Sequence, residues 1–178
     1  TGTVVGKLLD HICAETGVKA APVIAPGEHD TASAVAAVPA EGDDWCFLSS
    51  GTWSLLGVEL PKPILTREAC ACNYTNEGGV GNTIRFLKNI MGLWLVQECR
   101  RSWLRQGDKL EYAQLVELAS KEPAFRSIVY PNNECFAAPA DMPQAIAAFC
   151  KRTGQPAPKT KGQFVRCAME SLALTYRE

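Results

Sequence analysis

What is scarce in this chain narrows its chemistry first. Only 2 of 178 residues are histidine, His11 and His29, so a phosphohydrolase that holds its metals with several imidazoles lacks its material. None of the 8 cysteines stands in a C-x-x-C pair, which removes the tight spacing a zinc site needs. Neither sign of charge dominates: 18 Lys+Arg face 19 Asp+Glu, for a net charge of -1. Without a basic patch, nucleic acid is excluded as the expected partner. The longest apolar runs, residues 34–38 and 146–149, fall far short of the ~18 residues of a membrane span. No signal peptide and no internal repeat is present. A cytoplasmic protein with no membrane partner is expected.

What is there describes an ordinary globular chain. Hydrophobic residues make up 47% and charged residues 21%, enough for one sizeable core or for a piece of something larger. The second reading is favoured by the ends. Thr1-Gly2-Thr3 opens without methionine, and the helical pattern of residues 163–178 reaches Glu178 with no stop signal, so a segment of a longer protein is expected. Cys70-Ala71-Cys72 reads as plain packing of small apolar side chains. Cys150 and Cys167 fall on predicted helices flanking a proline-rich connection. There they are either a disulfide across a helix hairpin or two buried thiols in a reducing compartment.

Along the chain, residues 3–9 form a short apolar segment and residues 21–25 read as a buried strand ending at Pro26-Gly27. Asp30 or Thr31 then caps a short helix that stops before Pro39. Residues 45–48 and 53–59 are strand-like runs joined by Ser49-Ser50-Gly51-Thr52, a hairpin signal. Another strand at 73–76 turns at Glu77-Gly78-Gly79, with a further one at 83–86. From Asn89 the spacing of Ile90, Leu93, Trp94 and Gln97 predicts a helix, which puts Asn89 and Gln97 on broadly one side, two turns apart. Asp108 is the expected cap of the next helix, through Leu115 and Leu118 to Pro123. Residues 127–130 read as a strand. Asp141 with Gln144, and Thr160 with Gln163, spell capping boxes for the last two helices. Strands come early and helices late, so the expectation is an α/β fold: a mixed sheet with a hairpin and flanking helices.

Asp30 follows a strand and opens a helix, where a carboxylate either caps backbone N–H groups or reaches a ligand. On local pattern alone the cap is the commoner role. His29 either bonds to backbone or orients a substrate hydroxyl. The hydroxyls and glycine of Ser49-Ser50-Gly51-Thr52 make a turn, or cradle a phosphate. Glu77-Gly78-Gly79 is a turn, or a loop beside a ligand. Asn89 and Gln97 face solvent, or line a cleft.

Read together, PGEHDTASAV at 26–35, LSSGTWSL at 48–55, NEGG at 76–79 and LKNIMGLWLVQ at 87–97 resemble the rhamnulokinases. These belong to the carbohydrate kinases of the actin and hexokinase type of ATPase fold. RCAMESLALTY at 166–176 is similar to the helix that precedes their adenosine-binding glycines. The resemblance implies a ribonuclease-H-like domain, incomplete at both ends. Residues 1–26 would be the end of a first sugar kinase domain or a linker, and residues 27–178 a partial C-terminal domain without its adenosine-binding end. It implies ATP-dependent phosphorylation of L-rhamnulose at its 1-hydroxyl, with Mg2+ as cofactor and the rest of its own kinase chain as partner.

Carried onto these positions, Asp30 is the catalytic base, and His29, Thr31 and Asn89 stand with it at the sugar. Gly51, Thr52 and Gln97 contact ATP, and no residue is a metal ligand. Cys150 and Cys167 match a pair at this spacing in relatives. The alternatives are a kinase for L-fuculose or D-xylulose, or a non-catalytic binding module. The first phosphate-binding loop and the adenosine glycines of the family are not in the sequence, so residues 1–178 alone are expected to show little or no turnover. A carboxylate suits the role. With a reference pKa of about 3.9 it cannot ionise a ground-state hydroxyl near ~15.7, yet it accepts the proton late, as the oxygen bonds to phosphorus.

Overall fold

The computed structural model describes residues 2–27, 29–42 and 44–177. Thr1, Glu28 within PGEHDTASAV, and Glu178 at the end of the last helical pattern lie outside the described residues. The chain divides into two compact units, Thr1–Phe47 with Gly57–Lys88, and Leu48–Leu56 with Asn89–Glu178.

In the first unit, β1 (Thr3–Lys7) pairs antiparallel with β2 (Pro22–Ala25), the register slipping between Val4 and Gly6, and α1 (Asp10–Thr16) links them. The strand expected near residues 21–25 exists, but it is not buried: Val23 and Ile24 are 41% and 53% exposed. A two-stranded ribbon has little to bury against, and α1 contributes no buried residue. Next comes α2 (Asp30–Ala36), which buries Ala32 and Val35. Its first helical bond runs from the Ser33 N–H to the His29 carbonyl, and the Ser33 hydroxyl donates to the Gly27 carbonyl. His29, with φ -118° and ψ 135°, therefore holds the cap position. Asp30 is the first helical residue and not the cap that local pattern suggests, and Thr31 is the second.

The four-stranded sheet has the order β3 (Phe47–Ser50), β4 (Trp53–Leu60), β6 (Ile84–Met91), β5 (Tyr74–Gly78). The chain passes from one unit to the other within β3, β4 and β6. β5 and β6 are antiparallel, with Asn76 opposite Phe86 and the rings of Tyr74 and Phe86 stacked at 4.7 Å. The short α3 (Arg67–Ala71), capped by the Thr66 hydroxyl, precedes β5. It buries nothing, so Cys70 and Cys72 are exposed and the packing role read for them does not hold.

One boundary differs from the sequence reading in a way that moves a site residue. β6 continues to Met91, so Asn89 and Ile90 are strand residues, and α4 (Trp94–Arg105) starts only after Gly92. Short apolar runs do not separate helix from strand by spacing. Here the partner strands claim residues 84–91. Asn89 and Gln97 therefore do not share a helix face.

The second unit is mainly helical: α4, α5 (Tyr112–Ser120), α6 (Met142–Arg152) and α7 (Lys161–Arg177) surround a core that includes Leu95, Cys99, Trp103, Phe136, Ile146 and Ala168. Glu111, and not Asp108, caps α5: its side chain accepts from the Gln114 N–H while the Gln114 side chain takes its own N–H. Asp108 instead binds Lys161 at 2.6 Å. At α6 the Asp141 carboxylate accepts from the Gln144 N–H, and at α7 the Thr160 hydroxyl accepts from the Gln163 N–H, the cap half of each expected box; the Gln163 side chain takes the Lys159 N–H in place of the Thr160 N–H. Residues 127–130 are not a strand. The backbone groups of Ile128 and Val129 bond to side chains, with Gln155 clamping both the N–H and the carbonyl of Ile128 at 2.8 Å and Ser171 accepting from the Val129 N–H.

Cys150 on α6 and Cys167 on α7 are buried, free thiols. Burial, with the neighbouring Cys150, pushes the Cys167 thiol up to about 12, and burial pushes Cys150 up as well.

Candidate functional site

The PGEHDTASAV stretch presents an open carboxylate on a fixed backbone. The Asp30 side chain is 95% exposed, and its Oδ1 accepts from the Thr31 N–H at 2.7 Å and from the Thr31 hydroxyl at 3.4 Å. His29 Nε2 lies 3.5 Å from the same oxygen. Three of the four residues expected at the sugar, all but Asn89, are thus together.

Behind them stands Arg85 on β6, which nothing in the sequence had marked. Its Nη2 lies 3.2 Å from His29 Nδ1 and donates to Glu77 Oε2 at 3.0 Å, while Nε donates to the Gly78 carbonyl at 3.2 Å. The antiparallel register explains the pairing, because it sets Glu77 directly opposite Arg85. NEGG therefore supplies acceptors to a buried guanidinium. The same stretch needs a glycine at 79, where a Cβ would lie 2.2 Å from the Thr83 hydroxyl, which donates to Glu59 at 2.6 Å. The signal available in sequence was an acid, Glu77, opening the expected turn and an arginine, Arg85, in the strand expected after it.

In the second unit, the hairpin turn between β3 and β4 docks on the start of α4. The Gly92 and Trp94 N–H groups donate to the Thr52 carbonyl at 3.1 Å, and the Leu93 N–H donates to the Gly51 carbonyl at 2.8 Å. Backbone carbonyls thereby satisfy N–H groups that a side-chain cap otherwise takes, and α4 has no such cap. The approach is close enough to demand glycine at 92: a Cβ there would sit 2.4 Å from the Ser54 hydroxyl and 2.7 Å from the Gly51 carbonyl. This is why LSSGTWSL and KNIMGLW go together. Ser54, fully buried, is bonded in turn to the Tyr176 hydroxyl at 2.6 Å.

The docking brings Gly51, Thr52 and Gln97 to one place, with the Thr52 hydroxyl donating to Gln97 Oε1 at 3.1 Å. Asn89, exposed on β6, is held by a residue the sequence reading missed. Asn132 accepts from the Met91 N–H at 2.7 Å and donates to the Asn89 carbonyl at 3.3 Å. Beside Gln97, Arg100, Arg101, Leu104 and Tyr112 line a cavity of about 240 Å³. Its cations are partly engaged, Arg100 on the Leu110 carbonyl and Arg101 on Glu98 and over the Trp94 ring. A larger apolar groove of about 550 Å³ runs along α5 and α7 between Leu115, Val116, Val165 and Met169. Among the described residues no cluster of three or more His, Cys, Asp or Glu is arranged to hold a metal.

Comparison with known proteins bears on both constellations. Residues 46–178 match the FGGY family of carbohydrate kinases, C-terminal domain. The rhamnulokinase of Bacteroides thetaiotaomicron is 52% identical over 177 residues, 99% of this chain and 36% of that protein. Those of Enterococcus faecalis and Bacillus subtilis are 45% and 42% identical, each over 98% of this chain. The chain thus spans roughly a third of the length of these curated relatives. Among solved structures, the xylulose kinase from Rhodospirillum rubrum shares the fold, with a TM-score of 0.60 at 20% identity over 99% of this chain and 35% of that one. With the family's C-terminal domain matched across residues 46–178, this chain belongs to the FGGY family of carbohydrate kinases.

Proposed function

We propose that this chain is the base-bearing part of a rhamnulokinase, which transfers the γ-phosphoryl group of ATP to the 1-hydroxyl of L-rhamnulose. The observation that carries the reading is the exposed Asp30 carboxylate, flanked by His29 and Thr31, in a chain 52% identical to a rhamnulokinase over 99% of its length. In this reading residues 1–26 close a preceding sugar domain, and the setting is the cytoplasm. Among the described residues no helix is long and apolar enough to cross a membrane.

Asp30 takes the hydroxyl proton as the oxygen bonds to phosphorus, while His29 and Thr31 orient the sugar. Asn89 adds an amide to the sugar side. On the nucleotide side, the Thr52 hydroxyl turns its single proton from Gln97 Oε1 to a phosphate oxygen, and the backbone around Gly51 adds further donors. Magnesium carried by ATP supplies charge stabilisation when bound.

The test is a chimera in which residues 1–178 replace the matching third of the Bacteroides thetaiotaomicron enzyme. ADP release is followed with L-rhamnulose, L-fuculose and D-xylulose. Turnover with the highest kcat/KM on L-rhamnulose is expected. A folded chimera that binds ATP yet turns over none of the three would leave a binding module and overturn the kinase. Preference for another ketose would overturn the sugar assigned. Residues 1–178 by themselves are expected to show no turnover.

A further inference from the structure

Arg85 is a poor device for stability alone. Its side chain is 2% exposed, and among the described residues its Nη1 is buried with no hydrogen-bond partner. A desolvated guanidinium with donors left over gains less than a well-packed apolar side chain of similar volume. What the arginine provides that an apolar residue cannot is a set of donors with fixed polarity.

That polarity decides the state of His29. A guanidinium has five N–H donors, no acceptor, and no neutral form in proteins. At 3.2 Å from Arg85 Nη2, His29 Nδ1 must therefore accept. In a neutral imidazole the proton then resides on Nε2, because one ring nitrogen donates and the other accepts. Nε2 is the atom 3.5 Å from Asp30 Oδ1. The second Nη2 proton goes to Glu77, which with the Gly78 carbonyl stops the guanidinium from turning away.

We infer that Arg85 is a positioning residue of this site, fixing the Nε2–H tautomer of His29 and so aiming a proton donor at the Asp30 carboxylate and at any hydroxyl brought to it. The opposite tautomer would set a ring lone pair against the carboxylate and leave the sugar oxygen without that donor. The tautomer stands on geometry within this chain. Its effect on turnover rests on the kinase reading proposed above.

With only two histidines, the chain suits a long-range 1H–15N correlation spectrum of its imidazoles, recorded near ~pH 9, where reference imidazoles are neutral. Exposed His11 serves as the internal reference and is assigned with His11→Gln. His29 is expected as a single Nε2–H form, against the averaged signal of two forms at His11. In Arg85→Met, His29 is expected to average as well. An Nδ1–H form in the unsubstituted chain overturns the inference, as does an unchanged His29 pattern in folded Arg85→Met. Should that variant unfold, the unsubstituted spectrum and Arg85→Lys decide. In the chimera, Arg85→Lys is expected to lower kcat about 10- to 100-fold with KM for ATP unchanged, the scale of a misplaced reacting group. An active chimera indifferent to Arg85→Lys overturns the positioning role. A chimera inactive before any substitution, beside an Nε2–H spectrum, overturns the kinase reading and keeps the tautomer.

Discussion

The two units hold their functional side chains by different means. Around Asp30, packing is thin: β1, α1 and β2 bury no residue, and α2 buries only Ala32 and Val35. Order at His29 and Asp30 comes instead from one buried arginine and its acceptors. Around Thr52 and Gln97, the turn is bonded through its backbone to α4, which is built into a continuous apolar core. In the proposed reaction the base must meet a sugar that comes and goes, and the arginine orders its neighbour His29 from behind without occupying the Asp30 carboxylate. Phosphate contacts gain from rigidity, because on a fixed backbone only the Thr52 hydroxyl has to turn when charge develops.

The largest expected effect removes the chemistry and leaves both frames. Asp30→Asn in the chimera should lower kcat by roughly 10²- to 10⁴-fold, the span of general base catalysis. The side chain is 95% exposed, so its thermal midpoint should stay put. An unaltered midpoint with unaltered kcat would remove Asp30 from the mechanism. A smaller effect, on the opposite side of the comparison, comes from Gly92→Ala. The added methyl meets the Ser54 hydroxyl and the Gly51 carbonyl at 2.4 and 2.7 Å, an overpacking expected to cost about 1–3 kcal/mol. Denaturant unfolding of residues 1–178 should show the loss, and nucleotide affinity should fall as Thr52 and Gln97 separate. A stable variant with normal affinity would mean that the hairpin does not depend on this approach.

What was legible in the sequence was local. The caps Asp141 and Thr160 read correctly because each accepts from a residue three along, whereas the reciprocal half of the expected box is not formed at Thr160, where Gln163 takes the Lys159 N–H. The His29–Asp30–Thr31 junction, the hairpin around Gly51 and the α/β class were visible for the same reason. What failed needed a neighbour distant in sequence. Asn89 reads as helical until β6 has strands beside it, and Ile128 reads as strand until Gln155 takes its backbone. Arg85 was invisible because its role exists only in the β5–β6 register and in the approach of His29. Burial erred likewise: residues 22–25 are apolar enough for a core, but among the described residues the ribbon leaves them exposed or half-buried.

A change of about 1 kcal/mol should be visible at the foot of the hairpin. Ser54→Ala leaves the Tyr176 hydroxyl without the partner it has at 2.6 Å. Tyr176→Phe removes the other half. Unfolding free energies of the two single variants and the double variant should be non-additive, the double costing less than the sum. Strict additivity would mean that Ser54 and Tyr176 act separately.

The gentlest probe alters no residue. Cys70 and Cys72, in the unit that carries Asp30, are exposed, whereas Cys99, Cys150 and Cys167 in the helical unit are buried. The thiolate is the reactive form. With Cys167 pushed by burial from 9.0 to about 12, its thiolate fraction near ~pH 8 is lower by about three orders of magnitude than that of an ordinary thiol. Iodoacetamide should therefore label Cys70 and Cys72 within minutes and spare Cys150 and Cys167 until the chain unfolds. The sign with pH follows. The folded chain holds the Cys167 proton more tightly than the unfolded chain, so this contribution to stability is whole below 9.0 and fades as pH rises towards about 12. Rapid labelling of Cys167 in the folded chain near ~pH 8 would show that the helical unit opens as readily as the lightly packed one.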